Sequence, residues 1–226
     1  MPRMTTKIEP KVPPGYVEAY RLRLSASSRL VVALNLWAIV LLVPAIALFV
    51  WPAAARGFLA RDQVFTLTLS LSDGLALIAA TIGVVVAHEG VHGLVMRYFG
   101  ARPRYGIKWE LMAAYATAPG HLFARDHFIA VALAPLALLT PVLWIVVWVA
   151  PSGGVWMALA LAGILNTVGA VGDLYMTGQA LKHPASALVL DEEDGMRVYV
   201  GEASGVRRQA SGPSKDPASR GSVSDA

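Results

Sequence analysis

The stretch that decides the fold runs from Asp73 to Tyr98 and reads DGLALIAATIGVVVAHEGVHGLVMRY. It is apolar and uncharged from Gly74 to Ala87, reaches HEGVH at His88–His92, and stays apolar until Arg97. A helix rises 1.5 Å per residue and a bilayer core is about 30 Å thick, so a run of this length predicts a membrane-spanning helix. Asp73 reads as its N-cap, with the helix continuing from Gly74 to about Tyr98. Each ionisable group at the centre of such a helix costs roughly 2.5–3.5 kcal/mol on insertion scales. Three ionisable residues in five positions therefore point to a function that offsets the cost.

That function is legible in the spacing. His88 and His92 stand at i and i+4, on one helix face, where two imidazole nitrogens can reach one tetrahedral Zn²⁺. Glu89 adjoins the first of them and is placed to take a proton from a metal-activated water, then to pass it to a leaving amine. The rival reading is a set of interhelical hydrogen bonds holding a bundle together. The chain has no cysteine, so thiolate ligands and disulfides are excluded and a metal site must use His, Asp and Glu.

Working outward, the whole chain of 226 residues is 56% hydrophobic and 15% charged, with a mean hydropathy of +0.55; average soluble domains carry about 25% charge. Three more apolar runs have spanning length: Val31 to Trp51, Phe128 to Ala150, and Val155 to Leu181. The fold expected is an all-α membrane protein of about four transmembrane helices, with a short β-like loop between helices two and three. In that loop Tyr105, Ile107, Trp109 and Leu111 alternate at period two. Residues 52–70 read as a connector, with Val64 to Leu71 extended or interfacial. Four regions are expected: an N-terminal cytoplasmic arm (1–29), an integral membrane metalloprotease-like domain (30–184), a small cytoplasmic cap (185–202) and a disordered tail (203–226). Lys and Arg concentrate in the arm, the 97–126 loop and the C-terminal segment, which predicts a multi-pass cell-membrane protein with both termini in the cytoplasm. The net charge of +4 is spread thinly and does not form a nucleic-acid-binding surface.

A catalytic zinc takes three protein ligands plus water, and the third must lie at the same depth. His88 and His92 fall ~9–15 Å from the inner end of helix two, and Asp173 falls ~12 Å from that of helix four. Asp173 is therefore the expected third ligand; an interhelical polar contact is the alternative. Asn166 lies two turns before it and has two readings, a bond to substrate backbone or the oxyanion, or an interhelical hydrogen bond. Gly169 and Gly172 allow close helix approach there. Asp126 reads as the N-cap of helix three, His121 and His127 as interfacial, Glu110 as exposed, and His183 as a helix-end residue. Pro135 and Pro141 either kink helix three to open a water path or are packing prolines tolerated in membrane helices.

HEGVH in a membrane helix, followed by Ala118-Pro119-Gly120, Ala134-Pro135-Leu136 and Asn166…Gly172-Asp173-Leu174, resembles the putative zincin peptidase family of bacterial multi-pass proteins, over roughly residues 80–195. That family in turn resembles the site-2 protease clan of intramembrane metalloproteases. The resemblance implies a core of three helices, with HExxH on the first and an aspartate ligand on the third. This chain departs from the site-2 pattern at Gly169, where proline is expected, and at Gly172, which precedes the aspartate.

The function expected is zinc-dependent hydrolysis of a membrane-protein or peptide substrate within the bilayer. Its rivals are a non-catalytic metal- or helix-binding scaffold and a small metal-ion transporter. Glu89 favours the enzyme, since a scaffold has little need of it, and a transporter more often shows paired repeats.

Overall fold

The computed structural model describes residues 9–24, 26–59, 70–108, 113–151, 153–193 and 195–202. Strand β1 (Tyr16–Arg23) leads into helix α1 (Ser28–Leu59), followed by α2 (Leu71–Tyr98). A hairpin of β2 (Arg104–Lys108) and β3 (Ala113–Thr117) comes next, then β4 (Leu122–Ala124) and α3 (Arg125–Val149). Helices α4 (Gly154–Gly169) and α5 (Val171–Ala180) precede β5 (Leu188–Glu192) and β6 (Gly195–Gly201).

Four helical segments are long and apolar enough to cross a membrane: Ser28–Gly57, Leu71–Tyr98, Arg125–Val149 and Gly154–Ala180. Their outward faces carry bare apolar side chains such as Trp37, Val43, Ile78, Val86 and Val142. Helices that are apolar all round, with large side chains left uncovered, suit lipid better than water.

Several boundaries differ from the sequence reading, each for a local reason. The first helix continues past Trp51 and Pro52 to Leu59, so part of the expected connector is helical. Helix α2 is capped by Ser70 rather than Asp73. The Ser70 hydroxyl accepts from the Asp73 N–H at 3.2 Å, and the Asp73 carboxylate accepts from the Ser70 N–H at 2.8 Å, a reciprocal capping box. Asp126 does not cap α3: the N-cap is Ala124, and Asp126 sits in the first turn paired with Arg125 at 2.7 Å. The fourth span is two helices, broken at Ala170 between Gly169 and Gly172. Of the expected period-two alternation, Tyr105 and Ile107 stand on β2, which pairs antiparallel with β3. Trp109, Glu110 and Leu111, the 64–69 part of the connector, and the tail from Ala203 lie outside the described residues.

The largest departure is the sheet. The protein is mostly helical but not all-α. The N-terminal arm and the C-terminal cap join in one antiparallel sheet of four strands, ordered β1-β6-β5-β4. Tyr16 pairs with Gly201 and Arg23 with Gly195, so segments from the two ends of the chain lie side by side. Within β1 the inner face carries Leu22, buried, and Tyr20, partly buried, and the outer face Arg21 and Arg23. The sheet packs Val189, Met196 and Val198 against Met96, Phe128, Val131 and Ala180, where three of the spans end or begin. β1 leads into α1, β4 into α3, and β5 follows α5, so the sheet covers one end of the helix bundle.

At the other end Phe49, wholly buried, fills a notch in α4 at Gly163. A Cβ there would overlap the Phe49 ring, so only glycine lets α1 and α4 approach this closely.

Candidate metal centre

Helix α2 presents His88 and His92 one turn apart, and the break at Ala170 turns Asp173, in the first turn of α5, towards them. His88 Nε2 lies 3.2 Å from Asp173 Oδ2, and His92 Nε2 lies 3.5 Å from Asp173 Oδ1. One ligand atom from each of the three residues falls within 4.8 Å of the others. Around a tetrahedral zinc with bonds of roughly 2.0–2.2 Å, donor atoms stand roughly 3.3–3.6 Å apart. The two contact distances fit that spacing.

Hydrogen-bond bookkeeping then fixes the tautomers. His92 Nδ1 lies 2.9 Å from the Val131 carbonyl, which can only accept, so Nδ1 carries the hydrogen. That carbonyl is available because of Pro135. Four residues on, proline has no N–H to complete the helical bond to Val131, and His92 takes its place. The Asn166 amide N–H groups donate to the Pro135 carbonyl at 3.3 Å and to Thr140 Oγ1 at 3.0 Å. Its Oδ1 therefore faces His88 Nδ1, 3.0 Å away, and that nitrogen too is the donor. Both Nε2 atoms are left with lone pairs directed at a carboxylate. Three acceptors facing one another repel unless a positive charge sits among them. A proton answers one contact; a divalent ion answers all three. Histidine ligands that donate their other N–H to a carbonyl oxygen are the usual outer support of a metal site.

Glu89, half-buried, stands beside His88, and the Ala116 N–H of β3 donates to its carboxylate. Both line a cavity of about 190 Å³ together with His88, His92 and Asp173. A second cavity of about 130 Å³ between α2 and α4 shares His88, Glu89, Ala114 and Gly169 with it, so the site opens in two directions. The hairpin is seated by Tyr105, whose hydroxyl end lies against α2 at Gly93, next to His92. The far wall of the larger cavity comes from the sheet, through Asp191, Glu192, Glu193 and Gly195. Burial pushes the Asp191 carboxyl up to about 7, against the neighbouring Thr117 and Ala118 donors, which favour its charged form; the Thr117 hydroxyl itself donates to the Asp191 backbone carbonyl at 3.2 Å.

The structure thus brings together His88, Glu89, His92 and Asp173. Asn166 is 2% exposed, with its amide spent on His88, Pro135 and Thr140, which places it behind His88, at the lining of the second cavity. His121 rests edge-on against Phe123 and His127 stacks on Phe99, both away from the centre. His183 packs against Tyr20. Glu110 lies outside the described residues. Sequence reasoning missed the Val131 carbonyl, whose signal was Pro135, and missed Thr140 and Asp191, which reach the site only through tertiary pairing.

Residues 81–188 match the family model described as "Putative zincin peptidase". The matched segment begins in α2 and ends at β5, so it holds His88, Glu89, His92 and Asp173. The matching family model is the one to which the motifs pointed, and a zincin peptidase family implies zinc. An "Uncharacterized 24.7 kDa protein in gap 5'region" of Pyrococcus woesei is 30% identical over 131 residues, covering 56% of this chain and 57% of that protein. The chain thus spans just over half the length of this curated relative. No solved structure matches.

Proposed function

We propose that this chain is a membrane-embedded zinc endopeptidase, with His88, His92 and Asp173 as the ligands and Glu89 as the general base. The observation that carries the reading is the convergence of two Nε2 lone pairs and a carboxylate, with both Nδ1 atoms committed elsewhere. Zinc, when bound, supplies Lewis-acid polarisation of the attacking water and of the scissile carbonyl. Glu89 accepts the proton that the water loses and returns it to the departing amine. The Ala116 N–H holds the Glu89 carboxylate in its orientation.

The free edge of β3 extends this reading. The hairpin sheet has two strands, with no partner beyond β3 among the described residues. Ala114 and Ala116 line the cavity beside Glu89. An extended substrate segment pairs there with its backbone presented to Glu89. The helix order, HEGVH on the first core helix and Asp173 on the third, supports a site-2-protease-like arrangement. Arg21, Arg23, Arg97, Arg102, Arg104, Arg125 and Lys182 all lie at or near the sheet end, which supports a cytoplasmic position for the sheet and both termini, in a bacterial cell membrane.

The test is metal content followed by cleavage. Purified protein should hold one zinc per chain, and Asp173→Ala should lose it. Glu89→Gln should keep zinc yet lower cleavage by the 10²–10⁴-fold typical of a general base. Cleavage is read as new amino termini in membranes that carry wild type but not the variant. Wild-type protein without zinc refutes the reading; equal cleavage by Glu89→Gln removes the base.

A further inference from the structure

The cavity beside the metal ligands has more negative charge than the ligands need. Glu89, Asp173, Asp191, Glu192 and Glu193 all line it, and no Lys or Arg does among the described residues. Two of the three acids supplied by the sheet are answered locally. Glu192 is bound by the Arg197 guanidinium at 2.9 Å through Nε, and Glu193 accepts a hydrogen bond from the Tyr115 hydroxyl. Asp191 is answered only in part. The Thr117 hydroxyl donates to its backbone carbonyl at 3.2 Å, the Ala118 N–H favours the charged form of its carboxylate, and Oδ2 is buried with no hydrogen-bond partner. The residue is 8% exposed. A buried acceptor left unsatisfied costs about 1–3 kcal/mol, more when charged, and such an atom calls for a ligand or a function. It is not a fourth ligand of the same ion, since the converging group comprises His88, His92 and Asp173 alone.

We propose that Asp191 is the anionic wall of a subsite that takes a cationic group of the substrate, an ammonium or guanidinium carried by a lysine or arginine side chain or by a free amino terminus. The inference rests on the zinc peptidase reading above and adds to it a substrate class. Zinc would balance Glu89 and Asp173 in charge, Arg197 balances Glu192, the Tyr115 hydroxyl answers Glu193, and Asp191 is the acid at the sheet side of the cavity with an oxygen left unanswered. A cation there pairs with a carboxylate on a buried residue whose backbone carbonyl is already tied to the Thr117 hydroxyl, so little ordering is needed on binding. The alternative is that Asp191 only ties the end of β3 to β5, in which case cations gain nothing from it.

Binding separates the two without relying on turnover. The probes are three peptide hydroxamates of one backbone, which anchor on zinc: one neutral and N-acetylated, one N-acetylated with a lysine side chain, and one neutral with a free amino terminus. Each is titrated into the full-length, zinc-loaded protein in nanodiscs, for wild type and Asp191→Asn, with zinc measured in the same samples. Asparagine keeps a side-chain acceptor for Ala118, leaves the Thr117 bond to the backbone carbonyl in place, and removes the charge. In wild type a cationic probe should bind at least ~10-fold more tightly than the neutral one, the scale of a hydrogen bond to a charged group. In Asp191→Asn the ratio should fall to within twofold of unity. Preference for the lysine probe assigns the subsite to a side chain, and preference for the free amine assigns it to a terminus. Equal binding of all three probes to zinc-loaded wild type overturns the subsite and leaves the zinc reading standing, as does an undiminished ratio in Asp191→Asn. Absence of zinc, with no binding of the neutral probe, overturns both.

Discussion

Replacing Asn166 with alanine tests whether the polar groups behind the ligands tune the metal. The change removes the 3.0 Å acceptor of His88 Nδ1 and frees the ring to rotate or to shift its hydrogen to Nε2, the atom that faces the metal position. It also leaves Thr140 Oγ1 without the Asn166 donor, at a site where Asn166 itself is 2% exposed. Loss of one such hydrogen bond costs about 1 kcal/mol, and a buried donor left unpaired costs up to about 3 kcal/mol. Mutated outer partners of metal ligands typically cost 10–100-fold in affinity, which is roughly 1.4–2.8 kcal/mol. Asn166→Ala should therefore weaken zinc binding by 10–100-fold. Thr140→Val, which removes a partner of Asn166 but keeps the bond to His88, should weaken it by less than the alanine change. The assay is competition with a chelator of known zinc affinity, on protein whose melting confirms folding. An Asn166→Ala protein that is folded and binds zinc within twofold of wild type refutes the tautomer reasoning.

Pro135→Ala restores an N–H that competes with His92 for the Val131 carbonyl, so zinc affinity should fall by about 10-fold while the zinc-free protein melts no lower than wild type. Gly163→Ala forces a methyl into the Phe49 ring and should cost about 1–3 kcal/mol of stability, seen as a lower melting temperature with unchanged zinc affinity. Asp191 predicts a pH dependence in zinc-free protein. Its carboxyl lies at about 7 when folded, above the ordinary 3.8. The folded state thus binds more protons between those values, and the contribution present below about pH 4 is lost as pH rises through about 7, by up to roughly 4 kcal/mol. Melting of wild type should fall relative to Asp191→Asn from pH 5 to pH 8, and parallel curves would contradict it.

The centre of the molecule was legible because its chemistry is local. HEGVH is a fixed spacing on one helix, the spans are runs whose length alone predicts them, and the depth of Asp173 follows from counting residues to a helix end. The sheet was not legible for the opposite reason. In YVEAYRLR the partly buried Tyr20 and the buried Leu22 alternate with Arg21 and Arg23, which reads as a polar arm until β6, about 170 residues later, supplies the partner. Asp191 has no signal at all in its own neighbourhood; it becomes part of the cavity only once β5 has paired with β4 and β6. The Val131 carbonyl is invisible to any reading of side chains, although Pro135 four residues on announced a free acceptor. The break at Ala170 was half visible, as two glycines in an otherwise continuous apolar run.

The pairing of β1 with β6 also sets an order of events. The strand that precedes the first span must wait until all four spans have been made before its neighbour exists, and a contact of such long range forms late and slowly. Until then the histidines and Asp173 can meet, but the wall carrying Asp191 and Glu193 is missing from the cavity. A nascent chain that lacks β5 and β6 thus has the converging histidines and Asp173 without an enclosed cavity. Only once β6 has been made can its clasp with β1 close over them.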